Sequence, residues 1–180
     1  YQDRNGQVQY AYTSSWGLST RIIGALIMSH ADDDGLNLPS QIAPYHAAII
    51  PIIKNEDQKS SVMQYCEHIK SVLSDKYRIL LDTKDDTPQN KRWNYIRKGV
   101  PFICEIGMQE VESGTVCFTK RVDSLSENKL SQTKFLSVFE NLVEDHDNTL
   151  MARNHRNEML VDNIKTFAEL KDYFSNNTGF

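Results

Sequence analysis

The chain has 180 residues, 39% hydrophobic and 24% charged, which is enough apolar material for one full α/β domain plus an appendage and excludes a disordered or fibrous protein. Its formal net charge of -4 excludes any global electrostatic argument for nucleic-acid binding, so such a case must rest on a local patch. No apolar run approaches the roughly 18 residues needed to cross a bilayer, and Tyr1-Gln2-Asp3-Arg4 is polar rather than a signal peptide, so a cytoplasmic location without a membrane partner is the default expectation.

Residues 7–13, Gln7-Val8-Gln9-Tyr10-Ala11-Tyr12-Thr13, alternate polar with apolar side chains and predict a half-buried strand. After the turn chemistry of Ser14-Ser15-Trp16-Gly17, the residues Leu18, Ile22, Ala25, Leu26 and Ser29 recur at helical spacing, with Ile23 and Ile27 alongside. A helix apolar over most of its surface predicts burial. Asp32-Asp33-Asp34-Gly35 ends it, and the prolines at 39 and 44 indicate an extended connector, with a domain boundary near residue 44. The run Ala47–Ile53 is β-branched and continuous, the pattern of a strand buried on both faces. An amphipathic helix over 56–75 places Val62, Cys66, Ile69 and Leu73 inward, and Tyr77–Leu81 forms the next strand. A second helix covers 88–98, with Pro88 suited to its first turn. Two further strands, Pro101–Ile106 and Thr115–Thr119, flank a turn around Glu112-Ser113-Gly114. Helical patterning resumes near 131 with Phe135, Val138, Phe139 and Leu142, continues with breaks to Leu160, and returns over Ile164–Phe174. Strands alternating with helices of this length predict an α/β domain with a mixed sheet.

Cys66, Cys104 and Cys117 form no CxxC pair and read as reduced core residues. His30, His46, His68, His146 and His155 show neither HxH nor HExxH spacing, so no metal site is expected within these residues.

Within 13–35, a strand followed by small residues and a helix offers unpaired backbone N–H groups where an anionic phosphate is favoured. Arg21 falls in the first turns of that helix, where a cation is unfavourable to the helix by a few tenths of a kcal/mol up to about one. It pairs either with something anionic in front of it or, on spacing alone, with a nearby aspartate. The segment Thr13-Ser14-Ser15-Trp16-Gly17-Leu18-Ser19-Thr20-Arg21, continued through His30 and Asp32-Asp33-Asp34-Gly35-Leu36-Asn37-Leu38-Pro39, resembles the third class II synthetase motif of prolyl-tRNA synthetases. That resemblance implies Arg21, Ser19 and Thr20 at ATP, and Ser15 and Trp16 at the wall of the proline pocket. The other two class II motifs of the family would lie upstream of Tyr1, so these residues alone are not expected to aminoacylate.

In the second half, Lys84, Lys91, Arg92, Arg97 and Lys98 interleave with Trp93 and Tyr95, a basic and aromatic cluster in an otherwise acidic chain. It suits single-stranded RNA, whose bases stack on aromatic faces while cations hold phosphates; a solvated helix face with Trp93 tucked inward fits equally. Glu105 lies among apolar neighbours in the next strand, and a carboxylate there must be paired or reach solvent. The Watson–Crick edge of guanine offers two adjacent N–H donors that one carboxylate accepts together.

Lys98-Gly99-Val100-Pro101-Phe102-Ile103-Cys104-Glu105-Ile106-Gly107, followed by Glu110-Val111-Glu112-Ser113-Gly114 and Cys117-Phe118-Thr119-Lys120-Arg121, resembles the anticodon-binding domain of prolyl-tRNA synthetases of the archaeal and eukaryotic type. Proline anticodons carry two guanines, and the resemblance implies Pro101 and Glu105 at them and Lys120 and Arg121 in phosphate or salt-bridge roles; Arg92 and Trp93 of the basic and aromatic cluster are candidates for the same anticodon. The sequence departs from the family at Met108-Gln109-Glu110 and at Asn90-Lys91-Arg92-Trp93.

Residues 131–174 resemble the connecting helices that lead to a further, often zinc-binding module, of which Asn177–Phe180 would be the start. The implied architecture is the end of a class II catalytic core over 1–44, a class IIa anticodon-binding domain with a mixed sheet of about five strands flanked by helices over 45–145, and linker helices over 146–180. The implied function is part of a proline–tRNA ligase, with tRNA-Pro bound at its anticodon. ATP with magnesium, proline and a homodimer belong to the whole enzyme, and no cofactor is expected on these residues alone. A non-catalytic RNA-binding or accessory homologue is the alternative.

Overall fold

The computed structural model describes residues 1–123, 125–155 and 164–176. The expected continuation of helix to Leu160 and the expected start of a further module at 177–180 lie outside the described residues.

The N-terminal segment departs from two expectations. Residues 7–13 form no strand, and a single antiparallel bridge joins Gln2 to Val8. An alternating sequence becomes a strand only when a neighbouring edge pairs with it, and none of the described strands does so. Helix α1 (Arg21–His30) forms, but none of its residues is buried, and Ile23 and Met28 stand open to solvent. Its apolar surface finds no packing partner among the described residues. Strands β1 (Ala31–Asp32) and β2 (Gly35–Leu36) then pair as a short hairpin around Asp33-Asp34. Gly35, at φ 139°, lies so close to Arg97 that a Cβ would stand 2.6 Å from its Cα, which lets the hairpin rest on the domain that follows. The connector is stapled too: Ser40 donates to Asp147 from both N–H (2.7 Å) and Oγ (2.5 Å), and Arg78 donates to three carbonyls, those of Ser40, Gln41 and Ala43.

The apolar run becomes β3 (Ala47–Pro51), buried at all five positions. Helix α2 (Glu56–Leu73) follows, with Val62, Cys66, Ile69 and Leu73 buried, the four inward positions that the spacing predicts. Next come β4 (Ile79–Leu81), α3 (Pro88–Arg97), β5 (Phe102–Ile106), α4 (Met108–Ser113), β6 (Thr115–Lys120), β7 (Glu127–Ser131), α5 (Gln132–His155) and α6 (Phe167–Asn176). The sheet has five strands in the order β4-β3-β5-β6-β7; β4, β3 and β5 run parallel, and β6 and β7 are antiparallel to their neighbours. An α/β fold with a mixed sheet of five strands is therefore present as expected.

Three local differences stand out. The turn at 112–114 is the end of α4, closed by Gly114 in the left-handed region at φ 61°. Strand β7, with the polar sequence Glu-Asn-Lys-Leu-Ser, escapes sequence patterning because pairing with β6, not hydrophobicity, makes it a strand. Helix α6 starts at Phe167 rather than Ile164, because Thr166 Oγ1 accepts from the Glu169 N–H while the Glu169 carboxylate accepts from the N–H groups of Thr166 and Lys165. That reciprocal capping box fixes the start.

Alternation along the strands splits the core in two. Phe102, Cys104, Ile106, Val116 and Phe118 point toward α2 and α5, where Phe135 and Phe139 complete an aromatic cluster with Tyr77. Ala48, Ile50 and Ile103 point the other way, onto Tyr95 and Ile96 of α3. All three cysteines are free; Cys66 and Cys104 are buried, and burial pushes the Cys66 thiol up to about 12, so it stays protonated and inert.

Candidate nucleic-acid interface

Helix α3 is the element that turns one sheet face into a site. Thr87 caps its N-terminus by accepting from the Asn90 N–H at 3.3 Å, and Pro88 occupies the first turn. Four residues apart on one side, Lys91 and Tyr95 both reach the buried Asp82 that follows β4. The Tyr95 hydroxyl donates to Asp82 Oδ2 at 2.5 Å, while Lys91 Nζ stands 3.8 Å from Oδ1 and donates to the Asp82 carbonyl at 3.2 Å. Burial pushes the Asp82 carboxyl up, but Tyr95, the Lys84 N–H and Lys91 outweigh it and hold the group below the usual carboxylate range. Pinned through these two residues, α3 presents Arg92 and Trp93 toward the sheet edge.

Helix α3 packs on β3 and β5, whereas α4 and α5 pack on β6 and β7 from the opposite side. No described helix packs on the α3 side of β6 and β7, where Glu127 and Lys129 are exposed and Thr119 is buried. Register places Glu105, Cys117 and Lys129 in one row across it and Ile103, Thr119 and Glu127 in the next. Where this face meets α3 there is a cleft of about 540 Å³, lined by Pro88, Gln89, Arg92, Trp93, Glu105 and Leu125 among others. Arg92 bridges it: Nη1 stands 3.3 Å from Glu105 and 3.6 Å from Glu127, and Nη2 is 3.5 Å from Thr119 Oγ1. Burial raises the Glu105 carboxyl above its ordinary value, opposed by Arg92 and reinforced by Glu127. Trp93 is 37% exposed and borders the cleft, so part of its side chain reaches solvent there.

The structure thus brings Arg92, Trp93 and Glu105 together. Pro101 is buried at the root of β5, where its carbonyl accepts from the Arg121 N–H at 2.9 Å. Lys120 is engaged by Asp145 at 2.9 Å and Asp123 at 3.4 Å. Arg121 is enclosed, donating to the Asp32 carboxylate and to the carbonyls of Leu36 and Gly35, so it serves a salt bridge that ties the β1–β2 hairpin to β6. Ser15, Trp16, Ser19, Thr20 and Arg21 are exposed and line none of this cleft. Arg21 occupies the first position of α1 and pairs with no aspartate among the described residues; Asp32 belongs to Arg121 instead.

Sequence reasoning misses Glu127 and Lys129, because β7 itself is not legible. It also misses a second depression of about 330 Å³ lined by Ile52, Lys54, Gln58, Gly107, Met108 and Glu110. This one lies beyond the carboxyl ends of the adjacent parallel strands β3 and β5, between the starts of α2 and α4. Two strand-to-helix junctions, at 52–55 and 106–108, are the signal that could have found it. Glu110 accepts there from the Gly107 N–H at 3.0 Å and pairs with Lys129 at 3.4 Å. Among the described residues no group of three or more His, Cys, Asp or Glu is placed to hold a metal ion, and no helix is long and apolar enough to cross a membrane.

Residues 46–142 match the family described as "Anticodon binding domain". The chain belongs to that family. Over 97% of its length it is 33% identical to a proline–tRNA ligase of Erythrobacter litoralis, covering 37% of that protein. It is also 36% identical to a proline–tRNA ligase of Novosphingobium aromaticivorans over 97% of its length, again covering 37%. A crystal structure of prolyl-tRNA synthetase from Cryptosporidium parvum, complexed with L-proline and AMP, superposes over 97% of this anticodon-binding chain and 38% of its own, with a TM-score of 0.72 and 30% identity. The chain thus spans a little over a third of the length of the curated relatives it matches, 37% for these two.

Proposed function

We propose that these residues form the C-terminal part of a proline–tRNA ligase, in which residues 45–145 hold the anticodon of proline tRNA and residues 1–44 end the catalytic core. The observation that carries the proposal is the sheet face of an anticodon-binding domain on which Glu105 stands beside Arg92 and the exposed Trp93. In this reading a splayed-out guanine places its two N–H donors on Glu105 and stacks on Trp93, with Arg92 beside the pair. Pro101, buried immediately before β5, acts on the anticodon through the strand that carries Glu105, and Lys120 and Arg121 hold the surrounding frame. Residues 146–180 act as linker helices.

Arg21, Ser19 and Thr20 are proposed to contact ATP, and Ser15 and Trp16 to line the proline pocket of the whole enzyme. The guanidinium at the start of α1, without an ion pair among the described residues, supports this, since an always-charged fork suits phosphate oxygens. No carboxylate lies between Thr13 and His30, so this stretch offers the triphosphate a cation and hydroxyls but no carboxylate ligand for magnesium. A homodimer and a cytoplasmic location complete the proposal for the whole enzyme.

The test is binding of the chain to two stem–loop RNAs that differ only in the loop, one with two adjacent guanines and one with adenines in their place. A clear preference for the guanine loop is expected; equal binding rejects the anticodon assignment.

A further inference from the structure

Arg92 stands between two carboxylates of unequal standing. Glu105 is one-fifth exposed and lies in the cleft, whereas Glu127, on β7, is 65% exposed. The Arg92 side chain is itself only 25% exposed, so it is poorly placed to be left with water alone as its partner. If a guanine edge is to take the Glu105 carboxylate, Arg92 must loosen its hold on Glu105. The other carboxylate able to receive it is Glu127, already 3.6 Å away, while the Thr119 hydroxyl at 3.5 Å carries no compensating charge.

We propose that Glu127 is a specificity-determining residue of the RNA-binding face: it receives Arg92 when a guanine occupies Glu105, and its charge disfavours RNA that approaches by phosphates alone. The proposal rests on the reading of Glu105 as the guanine acceptor. Two consequences follow from one carboxylate. With guanine bound, the Arg92–Glu127 pair keeps the guanidinium compensated while both Glu105 oxygens face the base. Without a guanine to displace Arg92, Glu127 meets the approaching phosphates as a like charge, an element of rejection alongside the attraction. Simple electrostatics points the other way, since deleting a negative charge from an RNA-facing surface tightens binding to every RNA.

The two views separate in the variant Glu127→Gln, which keeps size and removes charge at an exposed position. Binding of the 180-residue chain to the guanine and adenine stem–loops is measured at fixed salt for wild type, E127Q, E105Q and the double variant, with thermal melts to confirm folding. The expected result is that E127Q weakens the guanine loop by about two- to fivefold, the range a largely exposed ion pair can supply. The adenine loop binds equally or more tightly, and in the E105Q background E127Q causes no further loss. Tightening of both loops alike, or the same loss persisting without Glu105, overturns the proposal. An E105Q variant that keeps its full guanine preference rejects the underlying reading instead, and that outcome is seen in a different protein from the one that tests Glu127.

Discussion

Arg121, at the end of β6, donates to the carboxylate of Asp32 at the tip of the β1–β2 hairpin, joining residues 89 positions apart in the chain. The guanidinium is buried while Asp32 is 44% exposed, and two further carbonyls complete the arginine's shell. Asp32→Asn should therefore destabilise the chain by about 1 to 3 kcal/mol, less than a fully buried pair because solvent reaches the carboxylate side. The Arg121 hydrogen bond holds the Asp32 carboxyl below its ordinary value of 3.8, against opposing burial. Its contribution is thus present above that value and is lost as pH falls through the folded-state value. Urea unfolding of wild type and variant at pH 7 and near pH 3 checks both, the difference shrinking at the lower pH.

Two histidines set a second pH dependence of different origin. His146 is buried in α5, with one ring nitrogen 2.9 Å from the Leu38 carbonyl and the other without a partner among the described residues, and burial first of all lowers its proton affinity. His46 is lowered in the same way, by burial and then by Arg78. Below the ordinary value of 6.5 the unfolded chain takes up protons that the folded chain resists, so stability falls as pH drops below that point. Each group can contribute at most about 1.4 kcal/mol per pH unit. A fall in the urea midpoint from pH 7.5 to pH 5.5 is expected, and a flat profile over that range contradicts it.

Phe139 is fully buried and lies against the rings of Tyr77, Phe102 and Phe135. Truncation there removes contacts from β5, α5 and the approach to β4 at once. Phe139→Ala should cost about 3 to 5 kcal/mol, measurable by chemical denaturation. A loss under about 1 kcal/mol would mean that the aromatic cluster collapses freely into the space.

For the catalytic segment, Arg21→Ala in a full-length enzyme containing this chain is expected to slow proline-dependent pyrophosphate exchange by roughly a hundredfold, the scale of losing one electrostatic stabiliser. Unchanged exchange would remove Arg21 from the ATP contacts.

Much of this architecture is written in local pattern. The run at Ala47, the four inward residues of α2 and Pro88 at the start of α3 each predict their element, because hydrophobic period and capping act within a few residues. Failures fall where structure depends on distant partners. Residues 7–13 alternate like a strand yet pair with no strand, α1 is apolar yet covered by none of the described residues, and β7 is polar yet becomes a strand because β6 offers an edge. The site divides along the same line. Glu105, Arg92 and Trp93 are legible as residue types that RNA recognition needs, but the partner that brackets Arg92 from the far side, Glu127, is visible only once β7 is in place. Burial of Arg121 is likewise invisible in a basic Lys-Arg pair at a strand end.

If Glu105 accepts the edge of an anticodon guanine as proposed, the Glu105→Ala variant loses that contact, which makes it the most direct test. Its affinity for proline tRNA should fall by about 1 to 3 kcal/mol, on the scale of one base contact, while binding to RNA without the loop guanines stays nearly unchanged. An equal loss for all RNAs, or no loss for proline tRNA, would contradict the account.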